Sequence, residues 1–195
     1  TFLNTNFQQS MWFYKNTGTS QLPDFTFQKT NFLQEEMLDI GDYAVPAFID
    51  SDGDGDQDLF ISTYAGTDFS SSVYFYENIG TADNASFKLI TTDFINLSFS
   101  NYYNVKLQFA DLNGDATLDF AFTGTSPQNG STTLLFVPNR SANGLDFSGQ
   151  TLQTTNSQIG QAENILVVDV NQDGLNDILM GKTIGAVQYW RNTGP

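Results

Sequence analysis

An internal repeat of about 60 residues constrains the fold of this 195-residue chain more than any other feature. Three acidic segments of nine residues mark the repeat: DSDGDGDQD at 50–58, DLNGDATLD at 111–119 and DVNQDGLND at 169–177. Their first residues are 61 and 58 positions apart. Each segment lies between two apolar runs of the kind that form strands. The chain is therefore expected to consist of copies of one supersecondary unit.

A second motif recurs in the same register. The segment SVYFYENIG at 72–80 aligns with three others, and phenylalanines follow 60 residues apart; the aligned residues are Asn16, Asn78, Asn139 and Asn192, then Phe27, Phe87 and Phe147. We predict four strands per repeat, which in the second repeat are 44–49, 57–63, 72–77 and 86–91. Four short strands per unit indicate an all-β fold made of β-propeller blades, each a four-stranded antiparallel sheet. A two-sheet sandwich is the alternative, but it does not require a fixed period.

Charge and composition exclude several classes of function. The chain has 7 Lys and Arg against 22 Asp and Glu, a net charge of −15, which argues against binding nucleic acid or an anionic membrane surface. No apolar run is long enough to span a membrane. The absence of His and Cys excludes catalytic triads that use them, and also imidazole and thiolate zinc sites. We predict no catalytic residue.

The acidic segments have the residue types of a calcium site. Positions 1, 3, 5 and 9 of all three carry a side-chain oxygen, and oxygen ligands on a tight loop suit Ca²⁺. Position 7 varies, so we expect its backbone carbonyl to be the ligand there. The predicted ligands of three Ca²⁺ sites are Asp50, Asp52, Asp54, Asp56 and Asp58; Asp111, Asn113, Asp115, Thr117 and Asp119; and Asp169, Asn171, Asp173, Leu175 and Asp177.

Three other interpretations of these segments fit less well. An EF-hand needs Glu at position 12 and flanking helices, whereas position 12 is Ile61, Phe122 or Met180 and the flanks are strand-like. Mg²⁺ demands stricter octahedral geometry. A solvated acidic turn would not need oxygens at the same four positions in three copies. Ala116, where the other copies have glycine, makes the second loop the least regular.

These segments, together with the FYxNxG-like strand that follows each of them, resemble FG-GAP/VCBS-type repeats, the calcium-binding propeller blades of integrin α-subunits and bacterial surface proteins. The resemblance extends over nearly the whole chain. It implies that the acidic loop joins the first two strands of a blade and binds Ca²⁺ through the positions given above.

The repeat also predicts how the chain is divided. We expect one propeller segment over 1–195, made of a partial blade at 1–40, a blade with the first loop at 41–102, a blade with the second loop at 103–161 and a partial blade with the third at 162–195. Complete propellers have more blades, so we expect the chain to be part of a larger propeller or to associate with itself through unpaired strand edges.

The resemblance implies a binding or adhesion module, with a glycan or a protein as its ligand. Tyr64, Phe69, Tyr102 and Tyr103 are the loop aromatics that could stack on sugar rings, whereas Trp12 and Trp190 are expected in the core. The alternatives are a structural spacer and a non-catalytic accessory domain of a secreted polysaccharide-processing enzyme. Loops of this kind fill readily where Ca²⁺ is millimolar, so we expect an extracellular or cell-surface location, and the lack of Cys suits a bacterial protein.

Overall fold

The computed structural model of the chain describes residues 12–29, 40, 43–64 and 70–194. The chain divides into two compact units, residues 1–40 and 41–195. In the first unit, strands β1 (Phe13–Asn16) and β2 (Phe25–Lys29) form an antiparallel pair. No helix in the described residues is long and apolar enough to cross a membrane.

The described residues of the second unit form three antiparallel sheets, each made of strands that follow one another in the chain. The first contains β3 (Val45–Ile49), β4 (Asp58–Ser62), β5 (Val73–Asn78) and β6 (Phe87–Thr91). The second contains β7 (Tyr103–Ala110), β8 (Asp119–Thr125), β9 (Thr132–Val137) and β10 (Gln153–Thr154), and the third contains β11 (Asn164–Val168), β12 (Asp177–Gly181) and β13 (Val187–Trp190). The helical segment of the described part is a 3₁₀ turn at Phe94–Ser100. The predicted all-β fold with four-stranded antiparallel sheets is confirmed.

The four strands predicted for the second repeat are confirmed to within one residue at each end. Their burial explains why the prediction succeeded. β4 and β8 are buried at every position and each contains an uninterrupted apolar stretch, at 59–61 and 120–122, as expected for strands covered on both faces. β3 and β6, at the edges of their sheet, alternate between exposed and half-buried residues.

The core of the second unit lies between neighbouring sheets. Phe60 and Val73 of the first sheet pack in one cluster with Phe120, Phe122 and Leu135 of the second. Another cluster joins the second sheet to the third; its buried members are Ala110, Ala121, Leu134, Phe136, Ile159, Val167 and Met180. Each sheet therefore shares a hydrophobic layer with the next, which is the packing expected between propeller blades.

The two tryptophans differ in burial. Trp190 is half-buried and packs against the cluster around Met180, as predicted. The prediction of a core position for Trp12 is wrong, because its side chain is 58% exposed and contacts Phe27 edge-on, with ring centroids 5.9 Å apart. Every residue of β2 is also exposed, and a two-stranded sheet offers too little apolar area to cover an indole ring.

Candidate metal-binding loops

All three acidic segments connect the first two strands of a sheet. Loop 1 (residues 50–58) joins β3 to β4, loop 2 (111–119) joins β7 to β8, and loop 3 (169–177) joins β11 to β12. The final aspartate of each loop is also the first residue of the strand that follows. The start of a buried strand therefore fixes one end of each loop.

The aspartate at position 1 organises each loop through its own backbone. In loop 1, Asp50 Oδ1 accepts the Gly53 N–H at 2.7 Å and Oδ2 accepts the Gly55 N–H at 3.0 Å. Asp111 accepts the corresponding N–H groups of Gly114 and Ala116. In loop 3, Asp169 accepts N–H groups from Asp173 and Gly174. Similar backbone contacts thus curl the three loops around their first carboxylate.

Loop 1 gathers three carboxylates into one small volume. Asp50, Asp52 and Asp54 each place a ligand oxygen within 4.8 Å of those of the other two. Asp50 is half-buried, and the other two are exposed. No Lys or Arg pairs with a loop 1 carboxylate in the described part of the chain. Like charges this close repel one another, so a cation among them would be strongly favoured.

Positions 4 and 6 require a left-handed backbone in every loop. At position 6, φ is 96° for Gly55, 87° for Gly174 and 67° for Ala116. Ala116 is therefore strained, so the departure of the second loop from glycine at this position has a backbone cost. Position 4 has the same requirement, with Gln172 at φ 60° in loop 3. Sequence reasoning missed this second position, although Gly53 and Gly114 occupy it in two of the three copies.

Position 9 has a structural role that the ligand prediction did not include. Asp58, Asp119 and Asp177 are almost fully buried, with 2%, 0% and 1% exposure. One oxygen of each aspartate accepts the N–H of loop position 2, and the other accepts the N–H of the repeated asparagine. The donors are Ser51 and Asn78 for Asp58, Leu112 and Asn139 for Asp119, and Val170 and Asn192 for Asp177. This carboxylate ties the loop to the end of the sheet's third strand. Oδ2 of Asp58 also accepts the Ser51 hydroxyl, and Oδ2 of Asp177 also accepts the Tyr189 hydroxyl, so Oδ1 is the oxygen that keeps a second lone pair in these two loops. The ligand role of position 9 stays a prediction.

The repeated asparagines are turn residues. Asn78 Oδ1 accepts N–H groups from Gly80 and Ser86, at 3.1 and 2.8 Å. Asn16, Asn139 and Asn192 make similar bonds to the residues that follow them. The amide side chain thus holds the chain reversal after the strand, which explains why this residue type repeats.

At position 7, the side chains differ as much as the sequence suggested. Asp56 is only 5% exposed, and its Oδ1 is buried without a hydrogen-bond partner. Burial raises the pKa of Asp56, and the charges of Asp54, Asp58 and Asp52 raise it further. In loop 2, Thr117 instead donates its hydroxyl to Asp115 Oδ1 at 2.5 Å. Loop 1 therefore contains a buried carboxylate oxygen that nothing in the described chain satisfies, whereas the corresponding hydroxyl of loop 2 is satisfied.

Loop 3 has a cation of its own. Arg191 Nη2 lies 3.1 Å from Asp173 Oδ2, and the Tyr189 hydroxyl donates to Asp177 Oδ2 at 2.9 Å. The Arg191 hydrogen bond, followed by the Leu175 N–H, lowers the pKa of Asp173. Burial tends to raise the pKa of Asp177, but hydrogen bonds from Asn192, Tyr189 and Val170 outweigh it, so the pKa is lowered. Two of the predicted carboxylate ligands of loop 3, Asp173 and Asp177, therefore already have side-chain partners, and Asn171 Nδ2 donates to the Tyr189 hydroxyl.

The loops also contact the neighbouring sheet or loop. The Leu145 N–H donates to the carbonyl of Ser51 in loop 1 at 2.8 Å. Asn176 Nδ2 of loop 3 donates to the carbonyl of Asp111 in loop 2, also at 2.8 Å. A change in the conformation of a loop would therefore alter its contacts with the neighbouring sheet or loop.

Two of the predicted loop aromatics belong to a small tyrosine group. Tyr64 lies 5.2 Å from Tyr43 and 6.0 Å from Tyr103, measured between ring centroids, and Tyr43 is 77% exposed. Tyr102 instead packs edge-on against Phe122 in the core. Phe69 lies outside the described residues. The structure thus brings Tyr64 and Tyr103 together and adds Tyr43, which sequence reasoning missed.

Comparisons with known proteins bear on part of the chain. Residues 50–122 match the family described as FG-GAP-like repeat. The match contains loops 1 and 2 and strands β4 to β7, whereas loop 3 lies beyond it. Neither the curated proteins nor the solved structures gave a match. The segment from the first acidic loop into β8 is therefore similar to an FG-GAP-like repeat, and its sheets are of β-propeller type.

Proposed function

We propose that the chain is a calcium-stabilised binding module and that its acidic loops bind Ca²⁺. The observation that carries the proposal is the loop 1 arrangement, in which Asp50, Asp52 and Asp54 bring ligand oxygens within 4.8 Å of one another without a Lys or Arg partner in the described part. Carboxylate oxygens are the ligands Ca²⁺ prefers, and the ion would offset their repulsion.

The residues present fit a calcium ion. The donor set of loop 1 is entirely oxygen, and the unsatisfied Asp56 Oδ1 supplies a further carboxylate oxygen in the same loop. In the proposed sites, side chains at positions 1, 3, 5 and 9 and the carbonyl at position 7 hold the ion. The ion supplies positive charge, and the chain supplies a loop already curled around Asp50 by the Gly53 and Gly55 N–H groups.

The module would present its ligand-binding groups on loops that rigid sheets position. We propose a glycan or a protein as the ligand, in an extracellular or cell-surface setting on a bacterium, in keeping with VCBS-type repeats. The tyrosine group of Tyr43, Tyr64 and Tyr103 supports a glycan, because exposed aromatic rings stack on sugars. No catalytic role is proposed.

A thermal unfolding experiment tests the calcium part. The chelator-treated chain is melted with excess Ca²⁺, with the same concentration of Mg²⁺, and with chelator alone. At a Ca²⁺ concentration about 100 times Kd, each filled site adds about 2.7 kcal/mol to the free energy of unfolding, so the Tm rises by several degrees. An unchanged Tm in Ca²⁺ would contradict the proposal.

A glycan-panel screen of the chain, run in Ca²⁺ and in chelator, tests the binding part. Calcium-dependent binding that is lost in Tyr43→Ala and Tyr64→Ala would support a lectin-like module. The absence of glycan binding in both conditions, together with stabilisation by Ca²⁺, would favour a spacer or accessory domain. That alternative draws support from the contacts of Ser51 and Asp111 with neighbouring segments.

A further inference from the structure

A cleft of about 410 Å³ lies between the 3₁₀ turn and the segment that leads to β10. One wall is formed by residues 95–97 and 100, and the other by Val137 and residues 147–152. No acidic loop contributes to it. Its volume is within the range of pockets that hold small molecules.

Part of the lining is apolar and rigidly held. Leu97 is 3% exposed. Phe147 packs edge-on against Phe94 and Phe120, with ring centroids 6.0 and 6.1 Å apart. Leu152, on the same wall as Phe147, is 36% exposed. These side chains offer a firm apolar surface that would not need to rearrange around a ligand.

The remaining lining is polar but carries no charge. Ser100 Oγ is buried and has no hydrogen-bond partner, and buried hydroxyls of this kind are rare in folded proteins. The side chains of Asn96 and Gln150 line the same cleft and make no hydrogen bond within the described part. The cleft therefore holds hydroxyl and amide groups that can both donate and accept, beside an apolar surface.

The backbone of this wall is strained where it meets the cleft. Ile95 and Asn96 have φ of 52° and 53°, and a left-handed β-branched residue is a clear outlier. Asp93 holds the turn closed, because its carbonyl accepts the Asn96 N–H and its carboxylate accepts the N–H and hydroxyl of Ser98. Strain maintained in this way is concentrated at binding sites.

From these observations we infer that the cleft binds one neutral sugar ring. The C–H face of a pyranose would lie on the Phe147 and Leu152 side, and its hydroxyls would pair with Ser100, Asn96 and Gln150. A charged ligand would find no opposite charge in the lining, and the net charge of −15 repels anions. The inference rests on the proposed binding function and names a ligand class and a site for it.

The test is a ¹⁵N NMR titration of the full chain with the methyl glycosides of glucose, galactose, mannose and N-acetylglucosamine. Each sugar is added to about 50 mM, because one ring in an open cleft binds with a Kd on the order of millimolar. We expect at least one sugar to shift the amides of residues 95–100 and 147–152. The absence of shifts there for all four sugars would overturn the inference.

Variants separate a cleft from a general surface effect. Ser100→Ala and Gln150→Ala should each weaken binding about tenfold, the effect of losing one buried hydrogen bond. Leu152→Trp should fill the cleft and abolish the shifts without unfolding the chain, because Leu152 is partly exposed. Gln128→Ala, an exposed glutamine outside the cleft, is the matched control and should bind as wild type. Shifts that survive Leu152→Trp would overturn the inference.

Two further arms distinguish the possible failures. An uncharged peptide with both termini capped, N-acetyl-Gly-Leu-Gly-amide, that produced the same shifts would overturn the sugar assignment. The titration is repeated in Ca²⁺ and in chelator. If Ca²⁺ stabilises the chain but no sugar shifts the cleft amides, this inference alone is wrong. If sugars shift the cleft amides in a chain that Ca²⁺ does not stabilise, this inference is supported and the proposed metal role is contradicted.

Discussion

Loops 1 and 3 have the same spacing of ligand-type residues but different electrostatics. Loop 1 has five aspartates in nine residues and no Lys or Arg partner in the described part. Loop 3 has three aspartates, and Arg191 lies 3.1 Å from the Asp173 carboxylate. In loop 1 the Asp56 Oδ1 is buried without a partner, whereas the corresponding residue of loop 3 is Leu175.

This difference shows that loops with the same motif can differ in the charges and side-chain partners of their carboxylates. In loop 3, the side chains of Arg191 and Tyr189 already neutralise or satisfy carboxylates that a metal would use. Loop 1 has no Lys or Arg partner in the described part, and its Asp58 and Asp56 contact the uncharged side chains of Ser51 and Asn78, so an external cation has more repulsion to relieve there. We therefore expect loop 1 to be the strongest of the three calcium sites and loop 3 to be weaker.

The largest effect should come from the feature that the two loops share. Asp58→Ala leaves the buried N–H groups of Ser51 and Asn78 unpaired, at about 1–3 kcal/mol each. The free energy of unfolding, measured by urea denaturation, should fall by several kcal/mol in Ca²⁺ and in chelator alike. Asp83→Ala, in an exposed turn, is the control. A loss confined to Ca²⁺ would show that Asp58 is a ligand without the structural role.

The next effect should separate the loops. Asp54→Ala removes a proposed loop 1 ligand and should abolish most of the proposed site's calcium stabilisation, about 2.7 kcal/mol at a hundredfold excess over Kd. In chelator the variant should lose little stability, because the reduced like-charge repulsion offsets the loss of the hydrogen bond from the Asp56 N–H to Asp54 Oδ1.

Asp173→Ala is the matched change in loop 3 and should cost less calcium stabilisation. Comparing the two variants by thermal unfolding with and without Ca²⁺ checks the ranking. Equal losses of calcium stabilisation would break the distinction between the loops.

A smaller effect should follow from removing the cation of loop 3. Arg191→Met frees the Asp173 carboxylate and should tighten Ca²⁺ binding at loop 3 about two- to fivefold, as expected for an exposed ion pair. The Gly174 amide, which donates to Asp169, reports on this site in an NMR calcium titration. Arg140→Met is the control, since Arg140 donates to the Ser148 carbonyl and contacts no loop carboxylate. Weaker binding in Arg191→Met would show that Arg191 supports the site.

The smallest effect concerns the backbone. Gln172→Gly relieves a left-handed residue at position 4 of loop 3, where loop 1 already has glycine. We expect a gain of up to about 1 kcal/mol in the free energy of unfolding, reduced by the greater freedom of glycine in the unfolded chain. Gly55→Ala, at φ 96° in loop 1, should lose stability. A destabilised Gln172→Gly would mean that the glutamine side chain contributes more than the strain costs.

Local sequence patterns predicted most of the fold. Strands β3 to β6 follow from apolar runs between turn residues, and the repeat extended that pattern to the other sheets. The recurrence of Asn78 and its counterparts was visible in the sequence, although their turn role came from the structure, and Ala116 was visible as a departure from glycine. These features depend on residues that are close in sequence, so pattern and propensity can detect them.

Features that depend on distant residues could not be predicted in this way. Arg191 lies 18 positions after Asp173 and meets it only because β13 pairs with β12. The cleft beside Ser100 requires the 3₁₀ turn to face the segment before β10, which no local pattern encodes. Trp12 was misplaced because an apolar residue in a strand motif gives no information about what covers it.

Isothermal titration of Ca²⁺ into the chelator-treated chain tests the central claim most directly, with Asp54→Ala and Asp173→Ala titrated alongside wild type. The loop 1 site should bind Ca²⁺ most tightly, and this strongest phase should disappear in Asp54→Ala and survive in Asp173→Ala. No binding up to millimolar Ca²⁺, or a strongest phase that survives Asp54→Ala, would contradict the account.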